Sequence, residues 1–240
     1  MPVKNKSDWI WYSGDFVPWD EATVHVSVHA LHYGTSVFEG IRAYETPDGP
    51  AIFRLGDHMR RFMFSCKTIR MLDTMDFSQQ ELENACIQAV SRNGLKSCYI
   101  RPLAFRDSET LGLNAAGQKT EVIIFAVEWG RYLGATGIEE GVDVAVSSWR
   151  RVASSPMAKV GGQYVNNQQV SMEARRNGYA EGITLDANGL VAEGAGENLF
   201  LVIDGELYTP PMAGSILVGV TRDSAAKIAV DLGLKIHQEH

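Results

Sequence analysis

The 240-residue chain contains no run of about 18 apolar residues, which leaves nothing in it that reads as a membrane-spanning helix. Its opening residues, MPVKNKSDWIWYSGDF, lack the apolar core that a secretory signal requires. Only three cysteines are present, Cys66, Cys86 and Cys98, and none stands in a Cys-x-x-Cys pair; this pattern implies reduced thiols and a cytoplasmic protein. Positive charge is also scarce. Lysine and arginine number 22 against 29 acidic residues, a net charge of −7, which argues against a general binder of nucleic acid or of anionic membranes. Local basic residues could still hold a small anion. There are no internal repeats and no low-complexity tracts.

What is present is ordinary for a globular protein. The apolar content is 45%, enough for a sizeable core, and the length suits two domains. WIWYSGDFVPW and GIRAYETPDGPAIFRL each read as two short strands around a turn. Asp57 is placed to cap a helix running to about Met71, with Phe62, Cys66 and Ile69 at helical spacing. Ser78 and Glu81 form a capping box for a second helix that ends near Gly94. SCYIRPLAF and TEVIIFAVEW are strand-like. These elements make an α+β domain over residues 1–128. GRYLGATG falls in an interdomain linker, 129–137. A larger C-terminal domain, 138–240, follows. In it VDVAVSSW reads as a strand, VNNQQVSMEARRNG as a helix closing at Gly178, and GITLDANGLVAEG and NLFLVIDGELYTP as hairpins. TRDSAAKIAVDLG reads as a helix with Thr221 as its N-cap and Gly233 past its end.

Three features carry chemistry. Lys159 lies between alanine and valine, with Gly161 and Gly162 just beyond, in SSPMAKVGGQYVNN. A surface lysine usually has polar neighbours, so the setting suggests a cramped apolar pocket, although taken alone it favours the plainer reading of a surface-loop lysine. Gly219 precedes the helix near Thr221, and the free N–H groups at a helix start attract anions. Glu193 stands at the end of a strand in AEGAGENLF, followed by small residues that would let a ligand approach. Together, a lysine amine, a phosphate cradle and a carboxylate are the needs of pyridoxal phosphate, which forms a Schiff base with a lysine and uses an acid against its ring nitrogen. Apolar surroundings would lower the lysine pKa and favour that link.

Five segments in order, HALHYGTSVFEGIRAY, YIRPL, AKVGGQY, EGAGENLF and GVTRDS, make the chain resemble branched-chain amino-acid aminotransferases. The resemblance runs from about Trp9 to the last residue. It implies a two-domain α+β / α/β architecture of fold type IV, like that of D-amino-acid aminotransferase, with the active site between the domains. It further implies that pyridoxal 5′-phosphate is bound as a Schiff base to Lys159, which then moves a proton between substrate and cofactor. Glu193 would partner the ring nitrogen and Tyr164 the phenolic oxygen. Arg61, Val220 and Thr221 would hold the phosphate. Phe38, Trp129 and Tyr164 would line the aliphatic pocket, and Gly40 would bring backbone close to the substrate. Arg101, Tyr33 and Tyr132 would meet the glutamate side-chain carboxylate. Tyr33, Leu111 and Leu113 would enter the neighbouring subunit's site, so that a homodimer or a higher homo-oligomer completes it.

The activity so implied is transamination between leucine, isoleucine or valine and 2-oxoglutarate. Its partners are amino-acid and 2-oxo-acid substrates, with no nucleic acid and no membrane. Against the family pattern the C-terminal domain reads as truncated after LKIHQEH, where a Ser/Gly-Thr-Ala loop normally follows. Alternatives are a D-amino-acid aminotransferase, an aminodeoxychorismate lyase, an amine transaminase, or a non-catalytic remnant. His25, His29 and His32 do not suggest a metal site, since no further ligand completes a set.

Overall fold

A computed structural model of the chain describes residues 6–107, 111–130, 137, 139–151, 157–212 and 215–239. The chain divides into two compact units. One is Met1–Gly130 with Ala158–Gly162, and the other is Arg131–Met157 with Gln163–His240. No helix among the described residues is long and apolar enough to cross a membrane.

The first unit is built on a seven-stranded antiparallel sheet. Strands β1 (Trp9–Tyr12) and β2 (Asp15–Pro18) form a hairpin. Its turn residues Ser13 and Gly14 both have positive φ, 44° and 115°, as a two-residue hairpin loop demands. After a short helix, α1 (His29–Tyr33), come β3 (Ser36–Phe38), β4 (Ile41–Thr46) and β5 (Gly49–Ile52). The long strands β6 (Cys98–Arg106) and β7 (Thr120–Val127) form the middle of the sheet. The order is β2-β1-β7-β6-β4-β5, and β3 pairs with the Leu103–Phe105 end of β6 while β4 pairs with its Cys98–Ile100 end.

Two helices, α2 (Leu55–Thr68) and α3 (Gln79–Arg92), pack on this sheet. Phe62, Met59 and Cys66 of α2 and Leu82, Cys86 and Ala89 of α3 are fully buried with Ile41, Ile100, Val122 and Ile124 of the sheet. Truncating Phe62 to alanine would remove about 3–5 kcal/mol of that packing. Helix α3 begins with the expected capping box: the Glu81 N–H donates to Ser78 Oγ, and Glu81 accepts from the Ser78 N–H at 2.8 Å. Helix α2 begins earlier than its sequence suggests. Its cap is Arg54, in the left-handed region at φ 49°, and Asp57 lies inside the first turn, accepting from Arg54 and Arg60.

In the second unit, strand β8 (Val144–Arg150) is parallel to β9 (Glu181–Leu185), so the chain must cross over between them. Helix α4 (Tyr164–Arg176) makes that crossover and buries Asn167, Val170 and Ala174. Gly182 lets it sit close, since a Cβ there would lie 2.6 Å from Val170 Cγ1. Strand β10 (Val191–Gly194) returns antiparallel to β9. A second three-stranded sheet holds β11 (Leu201–Ile203), β12 (Glu206–Thr209) and β13 (Ile236–Gln238). Asp204 and Gly205 turn the β11–β12 hairpin, both at positive φ. Helix α5 (Val220–Asp231) connects β12 to its parallel neighbour β13. It starts at Val220 with Gly219 as N-cap, ahead of the cap at Thr221 that the sequence suggests, and Gly233 follows its end at φ 79°.

Candidate active site

Lys159 groups with the first unit, although the chain on both sides of its short segment belongs to the second. The segment is clamped by its backbone. The Lys159 N–H donates to Ser65 Oγ at 2.9 Å, and its carbonyl accepts from the Phe38 N–H at 3.2 Å. Val160 forms an antiparallel bridge with Val37, and the Gly162 N–H donates to the Gly34 carbonyl at 3.0 Å. The two glycines after the lysine ease this approach. A Cβ on Gly161 would fall 2.1 Å from Ser36 Oγ, and one on Gly162 would fall 3.2 Å from the Gly34 oxygen. Lys159 is therefore held against β3 by close backbone contacts on either side of it.

The side chain enters a setting that is aromatic and charged rather than simply apolar. Lys159 Nζ lies 4.7 Å from the centre of the Phe38 ring, and the Arg101 guanidinium lies 4.6 Å from the same ring. Arg101 donates to the Tyr99 hydroxyl at 2.6 and 3.2 Å. Gly40 leaves room for that hydroxyl, because a Cβ would come within 2.5 Å of it. Burial pushes the Lys159 amine down to about 8, partly countered by Glu39 and Tyr99 and reinforced by Arg61 and Arg101.

Helix α2 presents His58, Arg61 and Ser65 at the spacing of one helix face. Arg61 grips the fully buried Glu39 with two hydrogen bonds of 2.7 Å, and His58 Nδ1 lies 2.8 Å from the same carboxylate. Burial alone would raise Glu39, but the bonds from His58 and Arg61 prevail and its carboxyl is held below the usual range. Ser65 links the helix to the lysine: its hydroxyl donates to the Arg61 carbonyl at 2.9 Å while accepting from Lys159. By contrast, burial pushes the Cys66 thiol up to about 12 and Cys98 to about 11, which leaves them poor nucleophiles.

In the second unit Glu193 lies in β10 and is 4% exposed. Three N–H donors converge on its carboxylate: Arg151 Nε at 2.6 Å, Asn198 Nδ2 at 2.9 Å and the Leu217 backbone at 2.9 Å. Asn198 also donates to the Leu217 carbonyl, and Asn167 to the Ala195 carbonyl, so the EGAGEN loop is tied down at several points. Gly219, which caps α5, has no room for a side chain; a Cβ would lie 1.9 Å from Asn198 Oδ1. Val220, the first residue of α5, is buried and Thr221 is exposed. Tyr164 is the first residue of α4.

The remaining expected residues lie in the first unit, apart from Tyr132, which is outside the described residues. Trp129 packs against Tyr99 with ring centres 5.3 Å apart, and its carbonyl accepts from Arg42. Tyr33 closes α1 and donates to the Leu111 carbonyl at 2.6 Å; Leu111 and Leu113 are exposed. His29 is buried, contacting Thr35 and the Gly112 carbonyl, and no group of three metal-binding side chains exists among the described residues. Sequence reasoning missed Arg151, Ser65, Asn198 and His58. Only His58 and Ser65 carried a signal, their spacing with Arg61.

The amino-transferase class IV family model matches residues 36–240. The branched-chain-amino-acid aminotransferase of Escherichia coli (strain K12) is 50% identical over 98% of this chain and 76% of that protein. The crystal structure of the E. coli enzyme superposes with a TM-score of 0.94 at 50% identity, covering 98% of this chain and 78% of the other. The branched-chain aminotransferase of the thermophilic archaeon Thermoproteus uzoniensis, solved with norvaline, gives 0.91 at 41% identity, covering 97% and 78%.

Proposed function

Because the chain belongs to the class IV aminotransferases, we propose that its two clusters serve one reaction, the exchange of an amino group between leucine, isoleucine or valine and 2-oxoglutarate. The products are the branched-chain 2-oxo acids and L-glutamate. The residues present fit pyridoxal phosphate. One unit offers a desolvated amine with an arginine at hand, and the other a buried carboxylate ringed by N–H donors beside a glycine-capped helix start. When bound, that cofactor supplies an aldehyde carbon to carry the amino group and a ring that accepts electron density.

Lys159 is the covalent anchor and the proton carrier. With a pKa of about 8, roughly one amine in ten is neutral at pH 7, against roughly one in three thousand at 10.5. A neutral Nζ can attack a carbonyl carbon and can take a proton from the substrate α-carbon. Its backbone clamp limits how far Nζ can wander. Arg61, held by Glu39, and the start of α5 at Val220 and Thr221 bind the phosphate. Tyr164 would hold the cofactor at its phenolic oxygen, and Glu193 would partner its ring nitrogen.

The substrate pocket must accept an aliphatic chain in one half of the cycle and a carboxylate in the other. Phe38 and Trp129 supply apolar surface. Arg101 supplies charge with its guanidinium already resting on Phe38 and Tyr99. Gly40 keeps backbone near the substrate. Tyr132 takes part with Arg101, and Tyr33, Leu111 and Leu113 complete the site of a second copy of the chain in a homodimer.

The observation that carries this reading is the clamp that holds Lys159, with its lowered pKa, beside Phe38, Glu39 and Arg61. The test is reductive trapping. Borohydride treatment of protein loaded with pyridoxal phosphate should fix one cofactor on the peptide containing Lys159, and Lys159→Ala should abolish both the label and turnover of leucine. A label on another lysine, or turnover by the variant, would refute the assignment.

A further inference from the structure

We propose that Arg151 is a positioning residue that keeps Glu193 anionic and fixes the direction of its carboxylate. This rests on the reading of Glu193 as the partner of the cofactor's ring nitrogen. Glu193 is buried, and a buried carboxylate normally escapes its desolvation cost by taking up a proton. Here that escape is opposed by geometry. Arg151, Asn198 and Leu217 each aim an N–H donor at the carboxylate, and between them they reach both of its oxygens. Hydrogen bonds donated to both oxygens favour the charged form of the carboxylate. Of these three, Arg151 alone brings charge.

Arg151 is itself an expensive residue to bury. It is 5% exposed, and its Nη1 has no partner among the described residues. Its guanidinium donates from Nε to Glu193 at 2.6 Å, so Glu193 accounts for its presence. Two further carboxylates, Glu181 and Glu197, belong to the same neighbourhood. Glu197 is pushed up to about 7 by burial and by the charges of Glu181 and Glu193. Glu193 is a third carboxylate there, buried near apolar Ala192 and Ala195, and Arg151 supplies it with an opposite charge.

The role follows from that. A carboxylate that stays charged holds a proton on a pyridine nitrogen, and a neutral carboxylic acid does not. Removing an opposite charge at this range raises a carboxyl's proton affinity by about ten- to a thousandfold. Arg151→Met should therefore transfer the cost to the ring nitrogen while leaving Glu193 in place.

The test uses protein loaded with pyridoxal phosphate carrying nitrogen-15 in the ring, whose chemical shift reports protonation. In wild type the nitrogen should be protonated. In Arg151→Met its signal should move toward the unprotonated value and the half-reaction with leucine should slow by about tenfold or more. Arg151→Lys should recover part of both. A folded Met variant with wild-type shift and rate would overturn the inference. An unprotonated nitrogen in wild type would instead overturn the reading of Glu193, and this inference with it. If Arg151→Met does not fold, adding Glu193→Gln should restore folding by removing the stranded charge. Failure of the double variant to fold better than the single one would overturn the pairing.

Discussion

Replacing Lys159 by methionine should stabilise the cofactor-free protein at neutral pH. Burial lowers the lysine from 10.5 to about 8, so the folded protein holds an ammonium that it would rather release. At pH 7 this costs the folded state about 3 kcal/mol relative to the unfolded chain. Methionine keeps the unbranched stem and the backbone clamp to Ser65 and Phe38 while removing the charge. It also gives up the contact between Nζ and the Phe38 ring, worth about 0.5–1 kcal/mol. A net gain of about 2 kcal/mol remains, or roughly 4–8 °C in the unfolding midpoint for a chain of this length.

The pH dependence supplies the sharper check. The native lysine binds fewer protons than the unfolded one between about 8 and 10.5, so wild-type stability rises with pH across that window. The gap between variant and wild type should be full below about pH 8 and closed by about pH 11. Thermal or urea unfolding of both proteins from mildly acidic to alkaline pH measures it, and subtracting one from the other cancels the other titrating groups. A variant no more stable than wild type at neutral pH, or a gap that stays constant across the whole window, would show that the lysine is not desolvated as described.

Two further outcomes follow from the same cluster. Arg101→Met should lower kcat/KM for glutamate about ten- to a hundredfold, the worth of a charge-assisted hydrogen bond, while leucine changes little; equal losses in steady-state assays with both substrates would remove Arg101 from carboxylate recognition. Gly34→Ala should destabilise by about 2–4 kcal/mol, since it strains a left-handed residue and drives a Cβ within 2.7 Å of Gly162 Cα, and it should cut turnover by displacing the lysine segment. Its control is Gly94→Ala, at a similar φ of 61° with nothing within 4 Å; that should cost about 1 kcal/mol in a denaturant titration and leave turnover alone.

What was legible in the sequence was what is decided locally. The Ser-Gly, Asn-Gly and Asp-Gly turns and the Ser78–Glu81 box each act within a few residues, and each forms where its residue types require. Helix starts without a side-chain cap were misplaced: Arg54 and Gly219 offer no capping oxygen, so the nearest polar residue, Asp57 or Thr221, drew the boundary. Strand β3 and helix α1, of three and five residues, are too short to show a period. The lysine and the carboxylate stood out by neighbours and by family likeness. Their supports did not, because Ser65 lies 94 residues from Lys159 and Arg151 lies 42 from Glu193, and no pattern along the chain announces such a pairing.

The order of synthesis gives the excursion of Ala158–Gly162 a consequence. A ribosome releases β1 through β7 before that segment exists, so the sheet and its two helices can close while the edge at Ser36–Phe38 still waits for Val160. The first unit is finished only by residues made after the second has begun. A gene divided just after the codon for Gly130 would encode no complete first unit in either half, and recombining the two products should restore the lysine's seat only if the later piece can thread its short insert back into place.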